Sequence, residues 1–276
     1  MNRRKFIWDS GITGFATWLG IHEILGGCTP GNKDPVIAGT TKILGLDLVT
    51  ATPLSELKNF YTGLLELPLV AEQKDRLTIR AGETIINFIH KNDNTASFYH
   101  FAFNIPENKI IKAREWQLKR TALSATPSHM TDTGYPEDIR HFRGWNAHSV
   151  FFWDPAGNLV EYIARHDLKN DREGEFSSKD LLCASEIAII VNETEPVADD
   201  LKSTFNLQQY KGGDENFRAI GDENCLLLVI KKGRVWEGHT PVSRTPATIE
   251  TVVTIQSGEA KSWNPVNYPF TIKSKV

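Results

Sequence analysis

Two side chains in this sequence have the type and setting for metal or acid–base chemistry: an imidazole and a carboxylate, each inside an otherwise apolar run. His100 lies in Phe98-Tyr99-His100-Phe101-Ala102-Phe103-Asn104-Ile105, and Glu161 lies between Val160 and Tyr162 in the run from Leu159 to Ala164. Read as a strand, the first run puts Phe98, His100, Ala102 and Asn104 on one face and Tyr99, Phe101, Phe103 and Ile105 on the other. The second face is core. The first carries a small Ala beside the His, as a hollow with space for a ligand requires. A carboxylate buried in an apolar strand must find a cation or hydrogen-bond donors. A metal shared with His100 would meet that need, although these residues alone read more simply as a solvent-facing Glu161 and a hydrogen-bonded core His100.

Other candidates surround this pair. His148, in Trp145-Asn146-Ala147-His148, is a third possible metal ligand, and one residue of hairpin register decides whether it shares Glu161's face. Asp47, in Leu46-Asp47-Leu48, could offer a hard oxygen or simply face water. Asn87, among Ile85, Ile86, Phe88 and Ile89, could bind a metal, a water or a substrate oxygen. Arg140, His141, Arg143 and Trp145 fall on a loop able to cover the hollow and bind an anionic or aromatic substrate, or to be plain surface. Asp154-Pro155-Ala156-Gly157-Asn158 reads as a turn with Gly157 at positive φ. His90, His129 and His166 read as solvated.

The elements that must position these residues follow a repeating order. Ile43 to Thr50 reads as a strand, and Pro53-Leu54-Ser55-Glu56 opens a helix with Leu54, Leu57, Phe60, Tyr61 and Leu64 at helical spacing. Short strands at 69–72, 76–80 and 84–90 follow. The order recurs with a strand at 98–105, a helix at 107–120 and a hairpin of 150–153 with 159–164. It recurs again with a strand at 186–191, a helix at 194–205 and strands near 209, 217–220 and 225–231. Ile79-Arg80-Ala81-Gly82-Glu83-Thr84-Ile85-Ile86 has the layout of Ala219-Ile220-Gly221-Asp222-Glu223-Asn224-Cys225-Leu226-Leu227, the mark of an internal repeat. The chain is expected to be α+β, a tandem of βαβββ units, the fourth left incomplete after the strand at 247–256. Its two halves, 42–168 and 181–276, meet at a charged linker, 169–180.

Composition narrows the function classes. At 40% hydrophobic and 24% charged residues the chain is an ordinary globular one. With 31 Lys+Arg against 34 Asp+Glu the net charge is -3, so no basic surplus exists for nucleic acid. Cys28, Cys183 and Cys225 are too scattered for a disulfide framework or a close-paired zinc site, which leaves His and carboxylates as metal ligands.

Residues 1–27 have the grammar of an export signal: Arg3-Arg4-Lys5, an apolar stretch, then Leu25-Gly26-Gly27-Cys28. Asn2-Arg3-Arg4-Lys5-Phe6-Ile7 resembles a twin-arginine signal, and Leu25-Gly26-Gly27-Cys28 resembles a bacterial lipobox. The reading that follows is an exported lipoprotein, anchored through acyl chains on Cys28 and facing the periplasm or cell exterior, with 28–41 as tether. The alternative is a cytoplasmic protein with an amphipathic N-terminal helix, suggested by Asp9, His22 and Glu23.

The tandem βαβββ pattern, with His100 on the fifth strand and Phe152-Trp153-Asp154-Pro155-Ala156-Gly157-Asn158-Leu159-Val160-Glu161 leading into the eighth, resembles the vicinal oxygen chelate superfamily. That group includes glyoxalase I, extradiol dioxygenases and bleomycin- and fosfomycin-resistance proteins. The resemblance implies two units cupped around a divalent metal (Fe, Mn or Zn), with ligands on the first, fourth, fifth and eighth strands. His100 and Glu161 match the last two, while Asp47 and Asn87 stand where His or Glu is usual. Glu250 stands where His100 would recur and no second Asp-Pro-x-Gly-Asn hairpin appears, so one site, in the first half, is expected; the resemblance implies a dioxygenase-like, metal-dependent enzyme for a small oxygenated or aromatic substrate. The alternative is a non-catalytic binding protein of the resistance type. A homodimer is a further possibility.

Overall fold

The computed structural model describes residues 41–92, 98–234 and 248–276. The export signal at 1–27, the lipidation site Cys28 and the tether up to residue 40 lie outside the described residues. Among those described, no helix is long and apolar enough to cross a membrane.

Three βαβββ units follow one another. The first is β1 (Lys42–Thr50), α1 (Leu54–Lys58), β2 (Leu69–Glu72), β3 (Arg76–Ala81) and β4 (Thr84–His90), with α1 running on into a π-helical turn at Asn59–Leu64. The second is β5 (His100–Ile105), α2 (Ile110–Leu118), β6 (Arg140–Phe142), β7 (Ala147–Trp153) and β8 (Leu159–Arg165). The third is β9 (Cys183–Val191), α3 (Thr194–Phe205), β10 (Gln209–Asp214), β11 (Phe217–Asp222) and β12 (Cys225–Lys231). A partial fourth unit contributes β13 (Thr251–Gln256), β14 (Ser262–Trp263) and β15 (Phe270–Lys275), with no helix among the described residues. The helices form where apolar residues recur at helical spacing. In α3, Val197, Ala198, Leu201 and Phe205 are buried, and Asn206 at φ 54° ends it in the left-handed conformation that closes many helices.

The strands make two sheets. One is ordered β10-β11-β12-β9-β5-β8-β7-β6, the other β14-β15-β13-β1-β4-β3-β2. Each consists of two units joined edge to edge by an antiparallel pair, β5 with β9 and β1 with β13. The second unit therefore pairs with the third and the first with the fourth, so both sheets draw strands from either side of 169–180. This is the two-half, cupped vicinal oxygen chelate fold.

Alternation decides what each sheet face holds. Phe101, Phe103 and Ile105 of β5, Val160, Tyr162 and Ala164 of β8, and Ile187, Ile189 and Val191 of β9 enter one hydrophobic cluster with Leu46, Leu48, Ile86 and Phe88 of the other sheet. Each Val, Leu, Ile or Phe among them contributes about 1.5–3 kcal/mol on burial. A one-residue slip would expose the set, so the register is strongly held. Polar links add to this. The Tyr99 hydroxyl accepts from Val49 N at 3.0 Å and donates to Glu250 O at 2.6 Å, tying the start of β5 to the other sheet. The β3–β4 and β11–β12 hairpins, alike in sequence, are alike in structure. At the first, Gly82 (φ +54°) touches the backbone of Leu182 so closely that a Cβ would lie 1.8 Å from its carbonyl oxygen. Only glycine permits that approach, which fixes the chain entering β9.

Candidate metal centre

The face of the eight-stranded sheet turned away from the core carries the site. Ala102 of β5 pairs with Glu161 of β8 on one side and with Glu186 of β9 on the other. Directly paired residues share a face, so both carboxylates rise beside an Ala too small to fill the space between them. His100 is the next residue on that face of β5. Its Nε2 lies 3.4 Å from Glu161 Oε2 and 3.9 Å from Glu186 Oε2, with all three side chains buried.

The protonation of this group follows from its neighbours. His100 Nδ1 lies 3.0 Å from Leu159 O. A carbonyl only accepts, so Nδ1 carries a proton, and Nε2, which faces the carboxylates, is the nitrogen placed to bind a metal. Glu161 Oε1 is buried and has no hydrogen-bond partner among the described residues. Burial first, and the Glu161 charge second, push the Glu186 carboxyl above the usual carboxylate range, against the opposing pull of Arg165 and His100. An imidazole nitrogen and two carboxylates gathered in this way are a donor set for a cation, and bonds of about 2.0–2.2 Å from one ion reach across the 3.4 and 3.9 Å separations from His100 Nε2. The residues fit a divalent metal.

A further layer steers the carboxylates. Arg165, from the same face of β8, pairs through Nη2 with Glu186 Oε1 and donates through Nε to Asn104 Oδ1 at 3.1 Å. Its guanidinium lies 5.5 Å from the Trp145 ring centre and 5.8 Å from that of Tyr210. Arg165 so holds one oxygen of Glu186 and leaves the other toward His100.

Internal symmetry locates a fourth position. In the second unit His100 pairs with Leu159, and Glu161 lies two residues further along β8; in the third Glu186 pairs with Leu226, and Leu228 lies two further along β12. Leu228 thus stands where Glu161 stands in the sister unit. It offers no ligand, so one side of the centre opens on a cavity of about 860 Å³ walled by Phe142, Trp145, Phe151, Phe217 and Arg140.

The remaining sequence candidates fall as follows. Trp145 lines the cavity; Arg143 does not, and its side chain is 65% exposed beside Asp132. His148 is corrected as a partner of His100 and Glu161. Phe151 pairs with Glu161, whereas His148 pairs with Ala164, so His148 leaves the opposite face of the sheet. Asp47 and Asn87 are corrected as substrate contacts: they belong to the other sheet, where Asn87 Nδ2 donates to Asp47 Oδ1 and Thr78 Oγ1 donates to Asn87 Oδ1, each at 2.7 Å. The expectation of a site confined to the first half is also corrected, because Glu186 comes from the third unit. Glu186 was missed although it carries a signal like that of Glu161, a lone carboxylate at the head of the apolar run Ile187 to Val191. His166, read as solvated, is engaged with Glu107 and His148.

No family model matches the sequence, and no curated protein matches it. Solved structures do. A Bacillus subtilis protein provisionally named a dioxygenase superposes with a TM-score of 0.53 at 16% identity, covering 86% of each chain. A mutant of glyoxalase I from Zea mays superposes with a TM-score of 0.51 at 12% identity, covering 85% of this chain and 94% of the other. At these identities the likeness is one of fold.

Proposed function

We propose that this chain is a divalent-metal-dependent enzyme of the vicinal oxygen chelate superfamily, dioxygenase-like, which holds its metal on His100 Nε2, Glu161 and Glu186. The observation that carries this reading is the convergence of three buried donor atoms beside a position, Leu228, that supplies none. One imidazole with two carboxylates suits Fe, Mn or Zn. A divalent ion with open positions acts as a Lewis acid on vicinal oxygens of a substrate.

The chain's own groups bind and orient. Phe142, Phe151 and Phe217 form flat apolar walls for a small aromatic or oxygenated molecule and exclude water from it. Arg140 lies 4.5 Å over the Phe151 ring and borders the same cavity, in place to meet an anionic substituent. Glu161 Oε1, lacking a hydrogen-bond partner, can take up a substrate proton.

Metal analysis of the purified chain, with oxygen uptake on a panel of catechols, tests this. His100→Ala is expected to carry one metal equivalent fewer and to consume no oxygen; equal metal content in both proteins overturns it. A second reading, a binding protein of the resistance type, is favoured by the missing fourth ligand, and retention of a small aromatic by metal-free protein supports it. On the N-terminal motifs we also propose an exported lipoprotein anchored through Cys28. Cys28→Ser is then expected to leave the membrane fraction.

A further inference from the structure

On the opposite face of β7 a second group of titratable side chains forms a continuous chain. His166 Nδ1 lies 2.8 Å from Glu107 Oε2, His148 Nδ1 lies 2.8 Å from His166 Nε2, and His148 Nε2 lies 3.2 Å from Asp132 Oδ2. His141, paired with His148 across β6 and β7, brings its Nδ1 to 3.2 Å from the same Asp132 oxygen. That Nδ1 is buried and makes no hydrogen bond. Arg143 Nη2 stands 3.9 Å from Asp132 Oδ1, and the Tyr135 ring covers His148 at 3.9 Å.

Counting protons along this chain exposes a deficit. The Glu107 carboxylate only accepts, so His166 donates from Nδ1 and presents a lone pair at Nε2. His148 must then donate from Nδ1, which leaves its own Nε2 lone pair facing the Asp132 carboxylate. With the three rings neutral, acceptor meets acceptor there, and a positive charge, from a metal ion or one further proton, resolves the contact.

We propose that Asp132, His141 and His148 bind a second divalent metal ion, of the zinc class, distinct from the ion at His100, Glu161 and Glu186. Bonds of about 2.1 Å in a tetrahedron place ligand atoms about 3.4 Å apart, close to the two separations of 3.2 Å around Asp132 Oδ2. His166 and Glu107 then serve as the outer shell that fixes the His148 tautomer. His141 stacks on His148 with ring centres 4.3 Å apart, so coordination turns the more exposed His141 ring out of the stack. The placement gives the ion a structural task. Met130, Arg140 and Phe142 wall the cavity, and the ligands Asp132 and His141 alternate with them along the same segment. The ion staples that wall to β7.

The test uses the full chain with His100→Ala and Glu161→Gln, which removes the first centre, so failure of the two readings can be told apart. After metal stripping and titration with Zn2+, this background is expected to bind one equivalent and to melt at higher temperature with it. Asp132→Asn or His141→Gln, both close in shape, should abolish that equivalent, and Glu107→Gln should weaken it about 10–100-fold. A background protein that binds no Zn2+, as when a proton alone fills the chain, overturns the proposal. So does Zn2+ binding unchanged by Asp132→Asn and His141→Gln.

Discussion

His100 and Glu161 meet with Nε2 and Oε2 3.4 Å apart on one face of a curled sheet, brought there by the parallel pairing of β5 with β8. Burying an imidazole beside two carboxylates is costly unless their charges are compensated. That dependence can be measured at each of the groups involved.

Metal should stabilise the protein through this centre. At a Mn2+ concentration 100 times its Kd, the wild type is expected to gain about 2.7 kcal/mol of stability. Glu161→Gln should lose most of that gain, yet melt no lower than wild type without metal, since it removes one of two repelling carboxylates. Calorimetric scans of both proteins with and without Mn2+ check this; an equal metal-induced rise in the two denies the centre.

Leu228 marks a vacancy in the internal symmetry. Leu228→His is expected to tighten metal binding by on the order of 1.4 kcal/mol, a factor of ten, while closing a side of the centre needed by substrate. Tighter metal with lower turnover is the expected pair of results. Unaltered metal affinity would show that Leu228 does not point at the ion.

Arg165 is wholly buried against Glu186. Arg165→Met leaves the Glu186 carboxyl buried without that partner, at a cost of about 3–5 kcal/mol. Adding Glu186→Gln should recover much of the loss, so a double-mutant cycle in urea should return a large coupling energy. Additive losses would mean that the two do not act as a pair.

Asp154 provides a pH signature in the turn that leads into β8. Burial, the largest influence, raises its carboxyl from 3.8 to about 6, against donors from Asn158 and Tyr61. A folded-state pKa above the unfolded one means that the group's contribution is present in full below pH 3.8 and is lost as pH climbs through about 6. The loss is about 3 kcal/mol. Stability curves from pH 3.5 to 7 should be flatter by that amount in Asp154→Asn, and an identical slope would refute the assignment.

Much of this was readable from single strands. Alternation in Phe98 to Ile105 placed His100 and Ala102 opposite the core residues Phe101 and Phe103, and the lone carboxylate in Leu159 to Ala164 marked Glu161. The Asp154 to Asn158 turn, with Gly157 at φ 77°, followed from its residue types. The matching hairpins at Gly82 and Gly221 signalled the repeat.

Local pattern by itself determined which residues alternate, which face is apolar and where the units begin, because those depend on neighbours along one strand. Only the tertiary structure decided which unit pairs with which. Edge-to-edge joining of β5 with β9 is a long-range choice made by total burial; it brought Glu186 to the centre and left Asp47 and Asn87 bonded to each other in the other sheet. The face of His148 likewise rested on hairpin register, and pairing Phe151 with Glu161 turned that imidazole away, toward Asp132 and His141.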